Sequence, residues 1–309
     1  MGKLIDGQWV VKSIITSDGG GKYDRLPRTF LDTISKNHSL YQPESDRYHL
    51  YVSLACPWAT RALIYRDLKD LEDHISVSIV HPDMLEDGWK FDDSYPVSTK
   101  DHLYDKKFLR EIYQMADPNI TTSVTVPVLW DKKTETIVNN ESSQIIRIFN
   151  SSFNDLTNNY DDYYPLEKQK KIDQINKFIY HNINNGVYKC GFASTQSAYE
   201  EAVISLFNGL DELESILDNS TYIVGDSITE ADIRLIPTLL RFDSVYVTHF
   251  KCTLKRIIDY KNLRRYVNDL LSIPAIKKTH NLDHIKRHYY FSHKQINPNQ
   301  IIPIGPAEL

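Results

Sequence analysis

Arg47-Tyr48-His49-Leu50-Tyr51-Val52-Ser53 alternates along the chain and is rich in residues that favour extended backbone, which predicts a strand. Pro57 to Arg66 follows as a run of good helix formers, with the proline at a first-turn position where its missing N–H costs nothing. Ile75 to Val80 alternates again, completing a β-α-β unit whose crossover implies a parallel pair. After a polar excursion, Val124 to Asp131 and Thr136 to Val138 read as two short strands split by a Lys132-Lys133 turn, and Glu141 to Phe149 reads as a helix.

That order, β-α-β and then β-β-α, closes a small mixed sheet of the thioredoxin type over residues 46–150. Residues 1–45 are polar and irregular, with Gly19-Gly20-Gly21, and read as an N-terminal arm with loops. Residues 151–164, rich in Asn, Asp and Ser, read as a linker. Beyond residue 165 helical spacing recurs, as at Leu206, Leu210, Leu213 and Leu217, so 165–309 is expected to be an all-helical domain. The predicted class is therefore α/β plus all-α.

A hydrophobic share of 41% in 309 residues is enough for globular cores. A net charge of −5, with scattered Lys and Arg, leaves no electrostatic footprint for nucleic acid or an anionic membrane. The opening residues lack the apolar stretch of a signal peptide, and no apolar run approaches membrane-helix length, so a cytoplasmic protein is expected.

Three cysteines, Cys56, Cys190 and Cys252, are too widely spaced for a CxxC pair or a zinc knuckle. Cys56 alone sits at a strand-to-helix junction, where helix amides and the positive end of the dipole favour a thiolate. The competing reading is a small buried hydrophobe. Val126-Pro127 reads either as a cis peptide with exposed backbone or as an ordinary edge proline. Glu141-Ser142 opens a helix, and either holds a charged ligand head there or belongs to a helix cap supplied by Asn140 or Ser142. Thr229 and Asp232 have the spacing of a reciprocal N-cap. His284 and His288 lie four apart but lack a plausible acidic third ligand, so no metal is expected. Tyr188, Tyr289 and Tyr290 fall in polar or glycine-containing segments, where a phenol either binds an aromatic substrate's oxygen or simply packs.

Tyr51-Val52-Ser53-Leu54-Ala55-Cys56-Pro57-Trp58-Ala59, Thr125 to Asp131, Ile137 to Ser143, Asn184 to Lys189, Arg241-Phe242-Asp243, His249 to Cys252 and His288-Tyr289-Tyr290 together resemble the Xi-class glutathione transferases, the glutathionyl-hydroquinone reductases. The resemblance runs over nearly the whole chain. It implies a thioredoxin-like domain, a helical domain, a homodimer, glutathione as co-substrate and a quinol-type substrate. It implies that Cys56 attacks the sulfur of a glutathionyl-hydroquinone and that a second glutathione resolves the mixed disulfide. It further implies that Trp89 packs on glutathione, that the Val126 backbone pairs with it and that Glu141 with Ser142 holds its γ-glutamyl group, while Tyr188 and one or both of Tyr289 and Tyr290 line the quinol pocket. An Omega-like deglutathionylase and a non-catalytic binding module are the alternatives. The chain departs from the family in having Thr60 in place of a histidine and Ser123 in place of an arginine, which removes an expected cationic contact to glutathione.

Overall fold

The computed structural model of the protein describes residues 2–11, 16–17, 21–24 and 28–306, so Gly19 and Gly20 of the glycine run lie outside the described residues. The chain forms two compact units, one of Met1–Ile14 with Leu26–Asp161 and one of Ile15–Arg25 with Asp162–Leu309.

In the first unit, β1 (Lys3–Ile5) and β2 (Gln8–Val10) form an antiparallel hairpin within the stretch read as an arm with loops. Asp6 and Gly7 turn it, both with φ positive, at 47° and 74°. An Asp-Gly pair in that conformation matches the twist of the strands it joins. Leu4 then exchanges both backbone hydrogen bonds with Thr122, at 2.9 and 3.0 Å.

The main sheet has four strands. With β3 (Thr16–Ser17) and β4 (Tyr23–Asp24) assigned to the second unit, these are β5 (Tyr48–Val52), β6 (Ile75–Ile79), β7 (Val128–Asp131) and β8 (Thr136–Asn139), in the order β6-β5-β7-β8. β5 runs parallel to β6 and antiparallel to β7, and β7 is antiparallel to β8. The strand expected from Val124 starts only at Val128, because Pro127 has no N–H for a ladder.

All five residues of β5 are buried. A central strand covered on both faces carries no solvent-facing positions. Its polar atoms are satisfied internally: the Tyr51 hydroxyl donates to Asp101 at 3.0 Å, and the His49 ring bonds the Ser76 and Ser78 hydroxyls at 2.7 and 2.9 Å. Arg47, at the start of this segment, makes a bidentate pair with Asp131 of β7 at 2.8 and 2.7 Å.

Helix α1 (Pro57–Leu68) leaves the end of β5 and packs against α3 (Ser142–Ser151), with Ala59, Ala62, Ile145 and Ile146 wholly buried. Each large apolar side chain so buried contributes on the order of 1.5–3 kcal/mol. Between β6 and β7 lies α2 (Leu109–Ala116), opened by Glu111, whose carboxylate accepts from the Phe108 N–H at 2.8 Å. A short helix, α4 (Asn154–Thr157), follows α3, and the buried Lys69 at the end of α1 donates from Nζ to the carbonyls of Asn159 and Asp161.

The second unit is helical apart from the β3–β4 pair. Its helices are α5 (Gln169–Ile179), α6 (Gly186–Phe192), α7 (Gln196–Leu217), α8 (Glu230–Leu239), α9 (Val247–His249), α10 (Lys261–Leu271), α11 (Pro274–Thr279) and α12 (Leu282–Lys286). Leu206, Leu210, Leu213 and Leu217 all point into its core. Helix α8 begins with the expected reciprocal cap, the Thr229 N–H donating to Asp232 at 2.8 Å. Asp232 also accepts from the Tyr266 hydroxyl at 2.7 Å and the Ile223 N–H at 3.0 Å. No described helix is long and apolar enough to cross a membrane.

Candidate active site

Cys56 is the N-cap residue of α1, extended at φ −83° and ψ 118°, with Pro57 in the first turn and no side chain capping the helix. The positive end of the helix dipole therefore meets the thiol without a competing carboxylate cap. Three contacts fix the Cys56 backbone. Its N–H donates to the Ser53 carbonyl at 3.1 Å, and its own carbonyl accepts from the Thr60 N–H and hydroxyl, each at 3.0 Å. Thr60, one of the two departures noted in the sequence, is thus a buried residue that steadies the first turn.

The Cys56 thiol is partly exposed, and its Sγ lies 3.7 Å from the Val126 carbonyl oxygen. The Val126–Pro127 peptide is cis. The other two cysteines differ in kind. Cys190 and Cys252 are buried, and burial, followed by the neighbouring Cys190, pushes the Cys252 thiol well above its usual range.

A second helix N-terminus is built at α3. Glu141 caps it, one carboxylate oxygen accepting from both the N–H and the hydroxyl of Ser143 at 3.0 Å. The cap expected from Asn140 or Ser142 is supplied by Glu141 itself. Asn139 accepts from the Glu141 N–H at 2.8 Å, and Ser142 is buried as the first helical residue. Ser123, the other departure, is partly exposed two residues before the β7 approach at Thr125.

Tyr113 of α2, which the sequence pattern did not single out, connects these two segments. Its hydroxyl donates to the Thr125 carbonyl at 2.8 Å and accepts from Asn140 Nδ2 at 3.2 Å. Trp89 is largely buried next to Gly88, whose φ is 78°, and its carbonyl accepts from the Leu109 N–H at the start of α2.

In the second unit, the hydroxyls of Tyr188 and Tyr289 are 2.7 Å apart, and that of Tyr246 lies 3.1 Å from Tyr289. Tyr188 is partly exposed, whereas Tyr289 and Tyr246 are buried. Burial, with Tyr188 and Tyr246 next, pushes the Tyr289 phenol well above its ordinary range, so Tyr289 stays a neutral phenol between its two neighbours. Tyr290 is separate from it: its hydroxyl donates to the Ser244 carbonyl at 3.0 Å. Tyr246 was missed in the sequence, although it lies between the Arg241-Phe242-Asp243 and His249 to Cys252 motifs. Among the described residues, no three His, Cys, Asp or Glu side chains gather as a metal site requires.

Residues 55–152 match the family described as glutathione S-transferase, N-terminal domain, and residues 196–269 match glutathione S-transferase, C-terminal domain. The chain is 53% identical to a protein of Escherichia coli named glutathionyl-hydroquinone reductase YqjG, over 99% of this chain and 95% of that one. It is 49% identical to glutathionyl-hydroquinone reductase PcpF of Sphingobium chlorophenolicum, over 100% and 97% of the two chains. The glutathione-bound structure of YqjG superposes with a TM-score of 0.91 at 51% identity, covering 100% of this chain and 96% of that one. The Xi glutathione transferase of Phanerochaete chrysosporium gives 0.92 at 50% identity, over 94% and 95%. With both domains matched in order and about half of all positions identical along its length, the chain belongs to the Xi class of the glutathione transferase family, as an enzyme of that family.

Proposed function

We propose that the protein is a glutathionyl-hydroquinone reductase in which Cys56 is the nucleophile and glutathione the co-substrate. The observation that carries the reading is the placement of Cys56: a partly exposed thiol at an uncapped helix N-terminus, against the Val126 carbonyl. The relatives named for this activity support the substrate class.

The Cys56 thiolate attacks the thioether sulfur of the glutathionyl-hydroquinone. A sulfur–sulfur bond forms as the bond from sulfur to ring carbon breaks; the ring carbon takes the electron pair and a proton, and hydroquinone leaves. A second glutathione thiolate then attacks the glutathione sulfur of the mixed disulfide, releasing glutathione disulfide and the Cys56 thiolate. The thiol of the second glutathione and the former thioether sulfur are each oxidised by one electron to the disulfide while the ring carbon is reduced by two, and Cys56 is regenerated, so one cysteine suffices. On this reading Val126 pairs through its backbone with the peptide part of glutathione, Trp89 packs on it, and Glu141 and Ser142 hold the γ-glutamyl head at the N-terminus of α3. Tyr188 and one or both of Tyr289 and Tyr290 serve the quinol, with the Tyr188–Tyr289 pair favoured because the Tyr290 hydroxyl is held by the Ser244 carbonyl. A homodimer in the cytoplasm belongs to the same reading, and a monomeric sedimentation mass would count against its first half.

The test is intact-protein mass spectrometry during incubation with a glutathionyl-hydroquinone, alongside hydroquinone release. The wild type is expected to carry a glutathione adduct that added glutathione removes. Cys56→Ala abolishes both adduct and release, while Cys190→Ala and Cys252→Ala leave them nearly intact; equal losses at all three would sink the single-cysteine mechanism. Relatives named glutathione S-transferase omega-like 2 in Schizosaccharomyces pombe, at 48% identity, and in Saccharomyces cerevisiae, at 39%, keep an Omega-like enzyme as the second reading, which we take as a broader thiol transferase using the same Cys56. Turnover of glutathionyl-ketones or protein mixed disulfides with no action on glutathionyl-hydroquinones would select it.

A further inference from the structure

Two segments proposed above to hold glutathione, the turn at Val126 and the N-terminus of α3, belong to different stretches of chain, on either side of the β7–β8 hairpin. We propose that the Tyr113 hydroxyl is the positioning group that sets their separation, and with it the affinity for the glutathionyl part of the substrate; this rests on the reading of the site given above.

The hydroxyl is at its bonding capacity. It donates to the Thr125 carbonyl at 2.8 Å, and accepts from Asn140 Nδ2 at 3.2 Å and the Thr125 N–H at 3.3 Å. Thr125 immediately precedes Val126, whose carbonyl touches Cys56 Sγ, and Asn140 immediately precedes Glu141. Tyr113 is wholly buried, and its ring packs edge-on to Phe30 with centroids 6.1 Å apart. Phe30 in turn brackets the same turn. Its carbonyl accepts from the Asn140 N–H at 3.1 Å, and its N–H donates to Asn140 Oδ1 at 3.3 Å.

Asn140 is therefore held on three sides, and among the described residues only the contact to Tyr113 runs from it to the Val126 segment. A buried hydroxyl shared between two loops has one geometry that satisfies every partner, and removing it leaves buried groups without a bond. The loops then relax independently, and a ligand spanning both loses the fit that one carbonyl-to-helix distance provides. Tyr113 touches no reacting atom, so the effect falls on binding and spares the intrinsic reactivity of the Cys56 thiol.

The experiment compares full-length wild type, Tyr113→Phe, Asn140→Asp and the double variant. It reads the Kd for glutathione by calorimetry, KM and kcat for a glutathionyl-hydroquinone, the iodoacetamide alkylation rate of Cys56, and Tm. Asn140→Asp keeps the acceptor toward Phe30 and turns the donor toward Tyr113 into an acceptor, so the hydroxyl can no longer serve Thr125 and residue 140 together. In Tyr113→Phe, Kd and KM are expected to rise together by about fivefold to tenfold, the factor that loss of the single bridge from Asn140 to the Thr125 segment corresponds to. The alkylation rate and kcat should stay within about twofold, and the double variant should cost less than the product of the two single effects, because both break one contact. A lowered Tm with unchanged Kd and KM would overturn the proposal by showing a purely structural role, and so would a collapse of kcat and alkylation with KM unchanged. If Tyr113→Phe does not fold, Asn140→Asp alone decides by the same criteria. Failure of wild type to bind glutathione at all would overturn the underlying reading of the site as well, whereas tight wild-type binding with an indifferent variant overturns this inference alone.

Discussion

His49 makes the sheet beneath Cys56 sensitive to acid. It sits wholly buried in β5, with both ring nitrogens bonded to the Ser76 and Ser78 hydroxyls. Burial first, and then the positive charges of His102, Lys132 and Arg66, lower its pKa to about 3. In the unfolded chain a histidine titrates near ~6.5. The folded value is thus depressed: folding is favoured fully above pH ~6.5, and that contribution is lost as pH falls, because the unfolded state takes the proton first. At pH 5 the loss is RT ln(1 + 10^1.5), about 2 kcal/mol, and it grows toward about 5 kcal/mol as the pH approaches the folded value. The pH 5 figure barely depends on the folded value so long as that lies below ~4. His249 and His280, both lowered to about 4 by burial, act with the same sign but belong to the helical unit. The comparison is therefore urea unfolding of wild type and His49→Gln at pH 8 and pH 5, followed by tryptophan fluorescence. All four tryptophans, Trp9, Trp58, Trp89 and Trp130, lie in the first unit, so the signal reports its unfolding. Between the two pH values the wild type should lose about 2 kcal/mol more than the variant. Equal losses, to within ~0.5 kcal/mol, would refute the argument that a neutral, buried His49 carries this linkage.

Two further outcomes follow from burial. Iodoacetamide should label Cys56 alone in the native protein, with Cys190 and Cys252 reacting only after denaturation, because those two are 2% and 0% exposed; peptide mapping showing native labelling of Cys252 would contradict the packing. The bidentate pair between Arg47 and Asp131 is buried on both sides, and Arg47 also pairs with the more exposed Glu44, so Asp131→Ala leaves the buried guanidinium with that partner alone and should lower stability by up to about 3–5 kcal/mol, read from the urea midpoint; a change under ~1 kcal/mol would mean that Glu44 and water suffice to hold it.

The elements that carry the site were legible because each rests on a local signal. Pro57 after an apolar alternating run marks a strand-to-helix junction wherever it occurs, and helix α1 begins at that proline. The hairpin β1–β2 was lost for a different reason: three-residue strands have too little alternation to register, and only the Asp6-Gly7 pair announces them. Helix α2 is eight residues long and lies in a polar stretch, where its apolar face is three residues, Leu109, Ile112 and Tyr113. Periodicity over so short a span does not stand out, so the helix and the tyrosine on it went unseen together.

The same distinction separates the residues proposed to touch substrate from those that support them. Cys56, Val126 and the Glu141-Ser142 pair each sit beside a proline or at a helix start, features that short sequence motifs record. Tyr113 and Tyr246 act through hydroxyls delivered across the core from helical or π-helical turns, and their partners, Thr125, Asn140 and Tyr289, are 12, 27 and 43 residues away. No spacing rule links such pairs, since the fold alone fixes their approach. A tyrosine in a chain of twenty is therefore informative only after its hydroxyl's partners are known. Tyr290 makes the point from the other side: it shares a motif with Tyr289, yet its hydroxyl is committed to the Ser244 carbonyl, while Tyr289 joins the phenol trio. Adjacent residues on a π-helical turn point in different directions, so membership of one motif does not assign them one role.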